Sequence, residues 1–129
     1  NLGFSRGESL ETAREWLEKF SISNLADRPP HGLSEGEKKR AAICGVAAMR
    51  PEIMLLDEPS AQLDPRGKRE LAELLNSFPQ TKIISTHDMD FARSVCKTAA
   101  VLDGGRLAAR GEIGEILADA DLLSRCRLA

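Results

Sequence analysis

The sequence predicts an α/β fold built on a parallel sheet flanked by helices. Three observations carry that prediction. Helical patterns alternate with short apolar strands along most of the chain. Ile53-Met54-Leu55-Leu56 is a compact apolar run that ends in two adjacent carboxylates, Asp57 and Glu58, followed by Pro59. Thr81 to Thr86 is a second short, β-branched run ending beside His87 and Asp88.

The elements follow in order. Ser9 to Phe20 carries Leu10, Ala13, Leu17 and Phe20 at helical spacing, with Trp16 beside them as a core or interface residue. Asp27-Arg28-Pro29-Pro30-His31-Gly32 cannot be helix interior and reads as a loop, with His31 structural or on the surface. Ser34 opens the next helix, and Glu37 three residues on completes a Ser-x-x-Glu capping box. Lys38-Lys39-Arg40 leads into a small-residue helix, Ala41 to Met49, which stops before Pro51.

Ile53 to Leu56 is predicted as a buried strand. Asp64-Pro65 caps and starts a helix with Leu71, Leu74 and Leu75 on its core face. Asp88 caps another, with Phe91, Ala92 and Val95 inside. Thr98 to Leu102, Asp103-Gly104-Gly105 and Arg106 to Ala109 read as a hairpin. Glu112 to Leu128 reads as helix in two pieces.

Composition narrows the function classes. The 129 residues suffice for one domain, and 42% hydrophobic with 29% charged residues is a globular balance. A net charge of −2 advertises no surface for nucleic acid, and no nucleic-acid partner is expected. Cys44, Cys96 and Cys126 form no Cys-x-x-Cys pair, so a disulfide framework or metal cluster is not expected and each reads as a small buried residue. No apolar run approaches the ~20 residues that span a bilayer. Asn1-Leu2-Gly3-Phe4 has no initiator Met and no basic-then-apolar pattern, so it is not a signal peptide and reads as the middle of a longer frame.

Four motifs carry chemistry. Leu33-Ser34-Glu35-Gly36-Glu37 puts a hydroxyl and a glycine at a helix N-terminus, where free N–H groups favour an anion. Alone, it is an ordinary capping box. Asp57 at the end of an apolar strand suits Mg²⁺, and Glu58 beside it can orient or deprotonate a water. Ser60 to Asp64 is at least a turn and a helix cap, and His87 sits where it can bond a phosphate or Glu58. No Gly-x-x-x-x-Gly-Lys-Ser/Thr phosphate loop occurs in the sequence.

In this order and spacing the motifs resemble the ATP-binding cassette (ABC) ATPases, over essentially the whole chain. Leu33 to Glu37 is similar to their signature loop, which usually has Gly where Glu35 stands and often Gln where Glu37 stands. Ile53 to Glu58 resembles Walker B with its catalytic glutamate, Ser60 to Asp64 the D-loop, and His87 the switch histidine. Arg28-Pro29-Pro30-His31, Lys38 to Ile43, Ala48 to Glu52 and Leu63 to Gly67 narrow the resemblance to energy-coupling-factor ATPases, most of all cobalt and nickel import components.

That resemblance implies a partial P-loop NTPase fold. Residues 1–50 form a helical signature subdomain. Residues 51–129 carry Walker B, the D-loop, the histidine loop and a C-terminal hairpin with helices. The first strand, the Walker A loop, the base-stacking aromatic and the Q-loop are expected upstream of Asn1. Implied roles are Glu58 and His87 in catalysis, Asp57 at Mg²⁺, and Ser34, Gly36, Glu37 and Asp64 at ATP.

Implied partners are a second ATPase subunit and transmembrane transporter subunits, at the cytoplasmic face of the membrane. Without a P-loop clamp, the chain alone is expected neither to bind ATP tightly nor to hydrolyse it. An uncovered apolar sheet face and self-association are further expectations. Two other readings compete. One is a DNA-maintenance ATPase, which should show long heptad helices absent from this sequence. The other is a non-enzymatic fragment or interaction module.

Overall fold

The computed structural model describes residue 3 and residues 5–128; Asn1, Leu2, Phe4 and Ala129 lie outside them, with most of the stretch read against a signal peptide. Helix α1 spans Arg6–Lys19. It begins three residues earlier than the apolar spacing predicts, because Ser5 and Glu8 form a reciprocal capping box: Glu8 N–H donates to Ser5 Oγ (3.3 Å) and Ser5 N–H to Glu8 Oε2 (2.8 Å). The predicted apolar face also shifts. Trp16 and Phe20 are buried and Leu17 is partly so, but Leu10 is 52% exposed and Ala13 is exposed. Phe20 and Trp16 instead converge on Phe78, with ring centroids 5.4 and 5.7 Å away.

Two 3₁₀ turns, Ser23–Leu25 and Pro30–Gly32, lead to α2 (Glu35–Ala48). Ser34 caps it as the sequence predicts, with Glu37 completing the box. Ile43, Cys44 and Ala47 form its buried stripe. Cys96 and Cys126 are half-buried, and His31 is exposed.

Strand β1 (Ile53–Asp57) pairs with β2 (Thr81–Ser85) in parallel, from Ile53 beside Thr81 to Asp57 beside Ser85. Helix α3 (Pro65–Asn76) connects them, and α4 (Met89–Val95) follows β2. Asp64 and Asp88 cap these helices, accepting from Gly67 N–H (2.7 Å) and Phe91 N–H (3.0 Å). Met54, Leu71, Ala72, Leu75 and Phe91 join the aromatic cluster and the α2 stripe in one core.

The expected buried strand is buried on one face only. Met54 is 1% exposed, but Ile53 is 55% and Leu55 74% exposed, with Ile83 of β2 alongside at 58%. Side chains alternate across a strand, so these three share one face of the parallel pair, and no element among the described residues covers it.

Strands β3 (Thr98–Asp103) and β4 (Arg106–Glu112) form the predicted hairpin, β4 running further than expected. Its turn needs Gly104 and Gly105, both at positive φ (53° and 76°). The two helical pieces are α5 (Ile113–Ala118) and α6 (Ala120–Arg125). Val101, Ile116 and Leu122 form their separate small core.

Candidate functional site

The parallel register sets the site. Because Asp57 lies beside Ser85, the next residues, Glu58 and Thr86-His87, leave the C-terminal edge of the strand pair together. Glu58 N–H donates to the Ser85 carbonyl (2.9 Å), extending the ladder by one bond. That edge is where parallel α/β sheets place their ligands.

Ser85 Oγ donates to Asp57 Oδ1, and Asp57 is exposed. The Glu58 carboxylate accepts three bonds: Thr86 Oγ to Oε2 (3.2 Å), and His87 N–H (3.1 Å) and Nδ1 (2.7 Å) to Oε1. A carboxylate only accepts, so Nδ1 carries the proton. The His87 ring, then Thr86 and the His87 amide, hold the Glu58 carboxyl below its ordinary range against a partial desolvation that works the other way. Glu58 is therefore held as an anion, oriented, and two-thirds covered.

The backbone around it is bent sharply. Glu58 and Gln62 both take left-handed φ (43° and 63°), and turn bonds run from Ala61 N–H to the Glu58 carbonyl and from Leu63 N–H to the Ser60 carbonyl. Ser60, 1% exposed, donates through Oγ to Asp88 Oδ2 (3.3 Å), the same oxygen that Lys68 Nζ reaches at 2.5 Å. Lys68 is the main reason the Asp88 carboxyl lies below its usual range. Ser60, Lys68 and Asp88 thus tie the turn after β1 to the turn after β2.

The second group of expected residues lies elsewhere. Ser34, Gly36, Glu37 and Asp64 line one cavity of about 510 Å³ with Gln62 and Leu63; Asp57, Glu58 and His87 do not. Ser34 Oγ accepts from Glu37 N–H (3.3 Å), and Glu37 Oε2 accepts from Ser34 N–H (2.7 Å), which lowers the Glu37 carboxyl from its ordinary value. A Cβ on Gly36 would sit 3.4 Å from Leu63 Cδ2, so the start of α2 rests on the turn that carries Asp64. Glu35 is paired with Lys38 at 2.7 Å, which offsets part of the negative charge it adds there.

The residues present fit Mg²⁺ in one respect. Among the described residues no three His, Cys, Asp or Glu side chains gather into a metal cage. Mg²⁺ does not need one, since it takes one or two carboxylates and completes its shell with water and substrate phosphate. Exposed Asp57 at a strand end would offer one such oxygen.

Sequence reasoning missed Thr86, Lys39 and Lys68. Thr86 could have been found by its place beside His87. The other two act over about twenty residues of sequence, and nothing local marks them.

Residues 3–61, which hold both Ser34–Glu37 and Asp57-Glu58, match the model of the ABC transporter family. The chain belongs to the ABC transporter ATPase family. It is 47% identical over 126 residues to an ABC transporter ATP-binding protein of Gloeobacter violaceus, covering 95% of this chain and 51% of that one. It is 44% identical over 128 residues to the energy-coupling factor transporter ATP-binding protein EcfA of Carboxydothermus hydrogenoformans, covering 97% and 47%. Among solved structures it superposes on CbiO1 of Clostridium perfringens, part of the ABC transporter complex CbiONQ, with a TM-score of 0.81 at 36% identity. That match covers 99% of this chain and 53% of CbiO1. The chain thus spans about half the length of the curated relatives it matches. The α/β fold with its parallel pair is that of these ABC ATPase neighbours.

Proposed function

We propose that this chain supplies the water-activating and signature elements of an ATP-hydrolysing subunit that powers an energy-coupling importer. The observation that carries the reading is the Glu58 carboxylate, fixed by Thr86 and His87 one residue beyond Asp57 at the open end of two parallel strands. An ionised, oriented carboxylate in that position suits a general base for water attacking a γ-phosphate.

Each residue then has a role. Glu58 takes the proton of the attacking water. His87 keeps its Nδ1–H on Glu58 and sets the carboxylate's direction. Asp57 would hold Mg²⁺, which supplies charge neutralisation at the phosphates. Ser34 and Gly36 present hydroxyl and backbone N–H to the ATP held by a second ATPase subunit, with Glu37 fixing the loop and Asp64 lining the same cavity. Residues 1–50 act as the signature subdomain and residues 51–129 as the Walker B part.

The likeness to EcfA and CbiO1 supports membrane transporter subunits as partners, at the cytoplasmic face, and a small nutrient as cargo, with cobalt or nickel ion favoured. A phosphate-clamping loop must come from sequence other than these 129 residues, so the chain alone neither binds ATP tightly nor turns it over. Its bare face of Ile53, Leu55 and Ile83 drives self-association when the chain is isolated. The test is ATP hydrolysis by the chain joined to a family P-loop half. Activity should appear and fall at least ~100-fold in Glu58→Gln, the scale on which a general base acts. Undiminished turnover in that variant would exclude Glu58 as the base.

A further inference from the structure

We propose that Lys39 is a positioning residue for Glu58, and that it links the signature end of α2 to the turn carrying the base. This rests on the reading of Glu58 above and adds a residue and a route to it. Lys39 Nζ donates to the carbonyls of Glu58 (3.1 Å), Pro59 (3.3 Å) and Ala61. An ammonium has three protons, and here three carbonyls of one turn take them.

The turn requires such a centre. Three carbonyl oxygens converge on one point and repel one another without a cation between them. Glu58 and Gln62 hold left-handed φ angles that non-glycine residues adopt at a cost, so neighbouring contacts must hold them there. The adjacent cations cannot substitute. Successive helix residues point ~100° apart, so Lys38, Lys39 and Arg40 face three ways. Lys38 pairs with Glu35, and Arg40 pairs with Glu70 on α3.

Lys39 lies on the same rigid helix as Ser34, five residues on. The cavity at Ser34 and the turn at Glu58 are therefore joined by a short route: Ser34 to α2, α2 to Lys39, and Lys39 to the backbone of Glu58. A shift of α2 when an anion seats at Ser34 pulls on the carbonyl of Glu58 and turns its carboxylate relative to His87. Gly36 against Leu63 is a second contact between the same helix and the same turn.

The test is solution NMR of the full chain without nucleotide, comparing wild type, Lys39→Met and Arg40→Met. In Lys39→Met the Nδ1–H signal of His87 should be lost, and the amide signals of Ala61 and Leu63, which close the turn, should shift. Arg40→Met breaks the α2–α3 pair and should move neither, which separates positioning from general destabilisation. A folded Lys39→Met with both signals unchanged overturns the proposal and leaves the nucleotide reading standing, since neither readout involves ATP. Should Lys39→Met fail to fold, wild type decides. A Lys39 ammonium resonance protected from water exchange, with that of Lys38 exchanging freely, supports the clamp; equal exchange at both overturns it.

Discussion

His87 Nδ1 lies 2.7 Å from Glu58 Oε1, and the two residues are brought together by a register that pairs Asp57 with Ser85 one step earlier. The bond makes the pair one unit: the imidazole proton fixes the carboxylate, and the carboxylate fixes the tautomer.

The folded Glu58 carboxyl titrates below its unfolded value, so its contribution to stability is full above the ordinary carboxylate range and is lost as pH falls through the folded value. Asp88 is shifted the same way, by Lys68, and adds to the same limb. Urea midpoints should therefore fall as pH drops through the carboxylate range, and the fall should be shallower in His87→Ala. An equal slope in both would deny the pairing.

Lys68→Met leaves the mostly covered Asp88 carboxylate with Ser60 as its remaining side-chain donor. Lys68 is itself 40% exposed, so the bond is screened and the loss should be about 1 kcal/mol rather than the 3–5 of a fully buried pair. Denaturant unfolding measures it; no change in midpoint would show the contact to be idle.

Core and bare face should respond oppositely. Leu75, 0% exposed, should cost about 2–5 kcal/mol when cut to alanine. Leu55, 74% exposed, has little packing to lose. Leu55→Lys with Ile83→Lys should instead reduce association of the isolated chain, read as a fall in light-scattering mass toward the monomer. A wild-type mass that is monomeric at every concentration would refute the self-association.

Gly67 gives a prediction in which two effects compete. Alanine normally improves a helix position by ~1 kcal/mol over glycine. Here its Cβ would come 2.9 Å from Asp64 Oδ1, the oxygen that caps α3 through the Gly67 amide. Displacing a cap costs about 1 kcal/mol as well, and the crowding adds to it. Gly67→Ala should therefore lower the unfolding midpoint slightly; a clear rise would mean that Asp64 moves without losing its bond.

What could be read from sequence was local. The Ser34–Glu37 box, the Asp64 and Asp88 caps and the Gly104-Gly105 turn all depend on residues within four of one another. The motif order around Asp57, Glu58 and His87 was likewise legible because it is linear. Burial of β1 was not: Ile53 and Leu55 look like core in a run of four apolar residues, and only the tertiary structure shows one face bare. Leu10 misled for a related reason, since Trp16, Phe20 and Phe78 pull α1 round to a different face. Lys39 was hidden inside Lys38-Lys39-Arg40, a charge run whose three members point to three unrelated partners.

The most direct test of the account is calorimetric titration of Mg·ATP into the purified chain, with Asp57→Asn as control. On the proposed reading, these residues are one side of a nucleotide site whose phosphate clamp lies in other sequence. No saturable binding at micromolar ATP is then expected of either protein. Micromolar binding that disappears in Asp57→Asn would contradict it, because the chain would then be building a complete nucleotide site without a phosphate loop.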